Sequence, residues 1–205
     1  MRYPMLGFIA ALALAGCGSS PEPSYYTLAP VASAATMEDE ATVKIQRPSL
    51  PGYLDRPDIV RQAGDYRIDI DETRRWATPL DEMFERLLAE DLRQRMPSAF
   101  IVTERDEASN PRFIIETSIQ NFNETGNGAL LAAQLSAIDK EGCADKNIKF
   151  IPFRMESNDA DRMQGLSTLI GQLADRIPSL IREQKTVCCP GQSPCTNQSD
   201  VRTDK

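Results

Sequence analysis

Apolar and polar positions alternate in short runs along most of the chain, and two longer stretches switch to a helical period. "TVKIQRPSL" alternates through Val43, Ile45 and Arg47 and reads as a strand that Pro48 ends. "DIVRQ" is a short extended piece. In "YRIDIDETRRWA", Tyr66, Ile68 and Ile70 alternate with Arg67, Asp69 and Asp71, which predicts a strand with one wet face. "AFIVTE" is a further short strand. "PRFIIETSIQNF" sets Phe113, Ile115 and Ile119 on one face, "ETGNG" makes a hairpin turn, and "ALLAAQLSAID" returns with Leu131, Ala133 and Leu135 inward. After the loop "KEGCADKN", the run "IKFIPFRME" carries Ile148, Phe150 and Phe153, and Pro152 within it points to an edge strand or a bulge.

The first helical stretch follows Thr78. Thr78 is placed as the N-cap, Pro79 as the first helical residue, and Asp81 at capping-box spacing. Leu80, Phe84, Leu87, Leu88 and Leu92 share one face, and Pro97 ends the helix. Early acids (Asp81, Glu82) and late bases (Arg93, Arg95) suit the helix dipole. This stripe predicts a core-facing helix; its acidic polar face argues against a membrane-surface one. The second stretch, 159–183, repeats Met163, Leu166, Ile170, Leu173, Ile177, Leu180 and Ile181, with Pro178 expected to kink or restart it. Strands around one helix, closed by a second, predict an α/β single domain with two main helices on a mixed sheet dominated by an antiparallel meander.

The two ends read differently. In "MRYPMLGFIAALALAGCGSS", Arg2 precedes an apolar core from Met5 to Leu14, the pattern of a signal peptide and too short to span a membrane as a helix. Leu14-Ala15-Gly16-Cys17 resembles the bacterial lipobox. That resemblance implies cleavage after residue 16, acylation of Cys17, and, with Gly18 rather than Asp next, sorting to the outer membrane. Residues 17–40 are then the lipidated N-terminus and tether: "GSSPEP" is too rich in Ser and Pro to pack, Tyr25, Tyr26 and Leu28 begin a first strand within 24–29, and Val31 to Glu40 form a loop. Residues 41–185 form the domain, and the polar Cys-containing tail 186–205 is expected to be disordered.

Composition narrows the chemistry. The chain has 205 residues, 41% of them hydrophobic, and a formal charge of −7, without a basic stripe, which argues against nucleic-acid binding. The chain contains no histidine, so Ser-His and Cys-His catalysis and all His-containing metal sites are excluded. A non-enzyme without a cofactor is expected. The densest motif is "LPGYLDRPDIV", where Asp55-Arg56 reads first as a turn-fixing ion pair and second as a docking or subunit contact. Asp69, Asp71 and Glu72 read as a solvated face rather than a calcium site, and Trp76 as a core anchor before a ligand platform. Of Cys143, Cys188, Cys189 and Cys195, Cys189 and Cys195 can close the "PGQSP" loop, but three connectivities remain open.

"YYTLAP" after a lipobox, then Tyr53-Leu54-Asp55-Arg56-Pro57 with Ile59-Val60-Arg61, then Arg75-Trp76-Ala77-Thr78-Pro79-Leu80, resembles the PqiC-like family of ABC-type transport auxiliary lipoproteins over roughly Cys17 to Arg182. Leu135 stands where the family often has Trp, and "CCPGQSPC" lies outside its pattern. The resemblance implies a three-layer α/β domain. It also implies a non-catalytic outer-membrane lipoprotein that works with an MCE-type periplasmic channel protein and, indirectly, with inner-membrane transporter components in moving phospholipid and maintaining membrane integrity. A homo-oligomer docked on the channel is implied too. Tyr53, Leu54, Asp55, Arg56 and Trp76 are the candidate subunit or partner interface. The competing function is a stand-alone periplasmic lipid-binding carrier, which needs an apolar cavity.

Overall fold

The structure, a computed structural model, describes residues 22–106, 110–141 and 151–186. Signal peptide, Cys17, the four other cysteines and the tail from 187 lie outside the described residues, as do the expected strand positions Ile148 and Phe150. Among the described residues, eight strands and two helices follow one another as β1 (Ser24–Tyr26), β2 (Thr42–Ile45), β3 (Asp58–Gln62), β4 (Ile68–Trp76), α1 (Leu80–Arg95), β5 (Phe100–Val102), β6 (Phe113–Glu124), β7 (Ala129–Asp139), β8 (Ile151–Ser157) and α2 (Arg162–Thr186).

The sheet is mixed, as the alternating pattern and the tight turn predicted. Its longest ladders are antiparallel: β6 with β7, β7 with β8, and β3 with β4. Shorter parallel pairings join β1 to β4, β2 to β5, and β6 to both β2 and β3. The β6–β7 turn closes by a bond from Thr125 N–H to the Gly128 carbonyl at 2.8 Å. β8 pairs with β7 alone, so Pro152 sits on an edge strand, where its missing N–H is tolerated.

Both helices lie against each other and on the sheet face that carries Val43, Ile45, Phe113, Ile115, Ala133 and Ala137, in one continuous core. Helix pair and mixed sheet therefore form the expected α/β single domain. The predicted α1 stripe (Leu80, Phe84, Leu87, Leu88, Leu92) is fully inside, as is the α2 stripe from Leu166 to Ile181. α2 runs without interruption through Pro178 and does not restart there.

Capping of α1 differs from expectation. Its cap residue is Pro79, with extended backbone (φ −48°, ψ 136°) and no side-chain cap bond, and the Pro79 carbonyl accepts the first helical bond from Met83 N–H at 3.0 Å. Thr78 therefore stands one residue outside the cap. β4 brings a larger correction. Tyr66, Ile68 and Ile70 were expected inward, yet they are 101%, 42% and 40% exposed. The register jumps from Asp58 opposite Arg75 to Ile59 opposite Asp71, so Glu72, Thr73 and Arg74 form an irregular step in β4. An odd number of extra residues exchanges the two faces. Trp76 is consequently buried (6% exposed), whereas Ile70, opposite the buried Val60, keeps 40% of its surface open.

The loop from Thr27 to Asp39 is laid across both helices as a strap. Ala29 N–H donates to Ser167 Oγ (3.3 Å), Val31 N–H to Asp91 Oδ1 (2.8 Å), Ser33 N–H to Gln94 Oε1 (3.1 Å), and Thr36 and Met37 N–H to the Arg95 carbonyl. Lys185 pairs with Asp39 at its far end.

Candidate functional site

The three sequence motifs meet at one corner of the sheet, because β1 runs parallel to β4 and β3 antiparallel to it. Trp76 N–H donates to the Pro57 carbonyl at 2.7 Å, and Ala77 N–H to the Tyr26 carbonyl at 2.8 Å. Arg75 Nε and Asp58 Oδ1 form an ion pair at 3.1 Å across the β3–β4 ladder. "YYTL", "YLDRPD" and "RWA" are thus stitched together by main-chain bonds within a few residues of one another.

Within the corner, the Pro-Gly turn closes through Leu54 N–H to the Pro51 carbonyl (2.9 Å), and the next bond runs from Arg56 N–H to the Leu54 carbonyl (2.9 Å). The Tyr53 hydroxyl shares its proton between the Gln120 carbonyl (2.8 Å) and Asn121 Oδ1 (3.0 Å), where β6 bulges. Burial holds this phenol above its usual pKa, so it remains a neutral donor. Leu54 is 2% exposed and Trp76 6%. Trp76 stacks on Phe122 (6.5 Å between centroids), and Phe122 meets Phe84 of α1 edge-on at 5.6 Å. These two residues are core, not surface, because the turn drives Leu54 inward and the step in β4 drives Trp76 inward.

Asp55 and Arg56 were expected to pair with each other. Among the described residues neither makes a side-chain hydrogen bond or ion pair: Asp55 is exposed, and Arg56 Nε is buried with no acceptor. The charge pair that holds the corner is Asp58–Arg75 instead. Of the five candidate interface residues, Tyr53, Asp55 and Arg56 thus keep access to the surface, joined by Tyr25 at 66% exposure.

Beside the corner lies a polar group that sequence reading missed. Arg74 binds Glu124 by two bonds of 2.9 and 2.6 Å and stacks over the Tyr26 ring at 4.7 Å. Bonding to the buried carboxylate holds the guanidinium more firmly protonated than usual. The pair closes one wall of a cleft of about 370 Å³, which Arg61, Asp69, Asp71 and Arg162 also line. No local spacing links Arg74 to Glu124, so only the strand register could have revealed them. Asp69 sits between Arg61 and Arg67 at 3.2 Å from each, and Asp71 accepts from the Thr73 hydroxyl (2.6 Å) and N–H, which lowers its pKa. Of the acids expected as a solvated face, Asp69 and Asp71 are thus paired locally and Glu72 is exposed, and among the described residues no group of three His, Cys, Asp or Glu could hold a metal ion.

A family profile described as "ABC-type transport auxiliary lipoprotein component" matches residues 26–178. The chain is 24% identical to the intermembrane transport lipoprotein PqiC of Escherichia coli K12 over 152 residues, covering 72% of this chain and 78% of that protein. The protein of that name from Shigella flexneri matches to the same extent. Among solved structures, protein XCC0632 from Xanthomonas campestris superposes with a TM-score of 0.62 at 12% identity, covering 79% of this chain and 98% of the other. A crystal structure of an uncharacterized protein superposes at 0.60 with 18% identity, covering 80% and 99%. No helix of the described residues is long and apolar enough to cross a membrane.

Proposed function

The chain belongs to the family of ABC-type transport auxiliary lipoprotein components, and from that premise we propose that it is an outer-membrane-anchored, non-catalytic subunit of an envelope phospholipid-transport system, docking by its motif corner onto an MCE-type periplasmic channel protein. Acylated Cys17 supplies the anchor in this reading, inner-membrane transporter components act through the channel, and loss of the protein weakens the membrane barrier. Several copies around the channel suit a tubular partner.

The observation that supports docking at this corner is the state of Asp55 and Arg56. A buried guanidinium nitrogen without an acceptor is unfavourable, and an exposed carboxylate one residue away has no partner among the described residues. The Asp55 carboxylate is left open to a protein surface bearing cationic or amide groups, and the half-buried Arg56 beside it is charge that the fold itself leaves unpaired among the described residues. The turn that carries them is fixed from below by Tyr53, Leu54 and Trp76, which gives a rigid platform.

The test is affinity capture of the lipidated protein from solubilised envelopes. The proposal expects an MCE-type protein with the wild type and at least tenfold less with the Asp55→Ala/Arg56→Ala double variant. Capture that never yields an MCE-type protein removes the reading. Phospholipid stoichiometrically bound to the monomer, without any protein partner, would favour the carrier instead.

A further inference from the structure

We propose that the tip of the β3–β4 hairpin, Tyr66 with Ile68 and Ile70, rests on the phospholipid surface in which Cys17 is anchored; the inference depends on the anchored-lipoprotein reading above. Tyr66 is 101% exposed, Ile68 42% and Ile70 40%. Val60 opposite Ile70 and Gln62 opposite Ile68 place both isoleucines on one side of the hairpin, close to its end. The described residues leave about two-fifths of each isoleucine open and all of Tyr66, and Ile70 also borders the cleft beside Arg74.

Chain direction says what covers that open surface. β1 pairs in parallel with β4, Ser24 opposite Arg74 and Tyr26 opposite Trp76. The segment before Ser24 therefore leaves the sheet toward the Ile68 end of β4, where the tip projects. From Ser24 back to Cys17 the chain spans at most roughly 25 Å, at about 3.6 Å per residue. From Arg74 to Ile68 the strand covers about 20 Å or slightly less, given the irregular step. Acyl chains at Cys17 and the side chains of the tip thus reach a common plane. The motif corner lies at the other end of β4, facing away from that plane.

The chemistry of the tip fits a headgroup boundary. Its charges balance locally: Arg61 and Arg67 flank Asp69, and Asp65 adds a second acid. Attraction by anionic lipid is therefore not the driving force. A tyrosine and two isoleucines, with the long side chain of Arg67 beside them, match the aromatic and aliphatic contacts that proteins make at a lipid surface. Three side chains at a hairpin tip are too small an area for a stable contact between copies of the chain. They suffice to orient a domain already held by its acyl chains.

The test uses the full-length lipidated protein in phosphatidylethanolamine–phosphatidylglycerol vesicles, part of whose phospholipid carries brominated acyl chains. Tyr66→Trp places a reporter at the tip, and Phe100→Trp places one on exposed β5 at the opposite edge of the sheet. The added Tyr66→Trp emission, over the Trp76 background, should be quenched at least twofold at both low and high salt, with the Phe100→Trp emission unchanged. Equal, unquenched emission from both variants in protein that floats with the vesicles would overturn the tip contact and leave the anchor standing. Lipidated protein that does not float would overturn the anchor and the tip contact together. A blue shift at Tyr66→Trp without quenching, growing with protein density, would reassign the tip to contact between copies and overturn the proposal.

Discussion

Arg74 holds Glu124 through two parallel N–H···O bonds of 2.9 and 2.6 Å, joining residues 50 apart in sequence. Glu124 is 1% exposed, whereas the Arg74 side chain keeps 24% of its surface. The pair ties the end of β6 to β4, and the ring of Tyr26 under the guanidinium adds β1.

Removing one partner of such a pair is worse than never having had it, because the other charge stays buried. Arg74→Ala should lower stability by about 2–4 kcal/mol, the lower part of that range reflecting the partly open guanidinium. Arg74→Lys should recover only part, since an ammonium cannot reproduce the fork. Urea unfolding midpoints check both. A loss of under about 0.5 kcal/mol for Arg74→Ala would place the pair among surface ion pairs.

The corner separates residues that hold the fold from residues free to bind. Trp76→Ala and Leu54→Ala should each cost about 3–5 kcal/mol of stability by emptying core positions. Tyr53→Phe should cost about 1 kcal/mol, the value of its shared hydrogen bond. Asp55→Ala should change stability by less than about 0.5 kcal/mol while weakening partner capture. Thermal melts set beside the capture assay read this split, and a melt of Asp55→Ala several degrees below wild type would make that residue structural.

Much of this was legible in the chain, and the failures share a cause. Helical periods in 80–92 and 163–181 read correctly because burial against one sheet imposes the period itself. The "ETGNG" hairpin read correctly because turn chemistry is local. Ile68 and Ile70 misread because the face exchange is produced by the pairing of β4 with β3, which no alternation within β4 records. Leu54 looked exposed beside two charges, although the Pro51–Leu54 turn rotates it into the core. Asp55 and Arg56, adjacent in sequence, do not meet, whereas Arg75 finds Asp58 across a ladder. The strap was read as a loop, and a loop it is; its anchors on Asp91, Gln94 and Ser167 are tertiary.

Gly128 should be intolerant of any side chain. A Cβ there would lie 1.8 Å from the Ser157 carbonyl oxygen, main chain that cannot swing aside. Gly128→Ala is expected to lose about 1–3 kcal/mol by forcing β7 and β8 apart. Gly126 in the same turn has open space around the position of a Cβ, so Gly126→Ala is the control and should shift stability little. Similar losses in the two variants would locate the effect in the turn's backbone instead of the β7–β8 contact.

Asp91 gives the strap a pH dependence of predictable sign. Its residue is 0% exposed, Oδ1 accepts from Val31 N–H, and Oδ2 has no partner. Burial is the main cause that pushes its pKa up to about 6, with the Val31 bond and the nearby Arg95 charge acting against it and Glu90 and Asp175 adding to it. In the unfolded chain the same carboxyl titrates near the ordinary value of about 3.9. Between those two pH values the folded state binds the extra proton. The stabilisation is therefore complete below about pH 4, is lost as pH rises through about 6, and is absent above. Asp91→Asn keeps an oxygen for Val31 and removes the charge. Its stability should fall less than that of wild type between pH 4 and 7, leaving the variant ahead by about 1–2 kcal/mol at pH 7.5. Paired urea titrations at stepped pH read the difference, which cancels the carboxylates of lowered pKa (Asp71, Asp106) that slope the other way in both proteins. Parallel curves over that range would mean that Asp91 is ionised in the fold at all these pH values and that the strap is held by a charge, not by a buried acid.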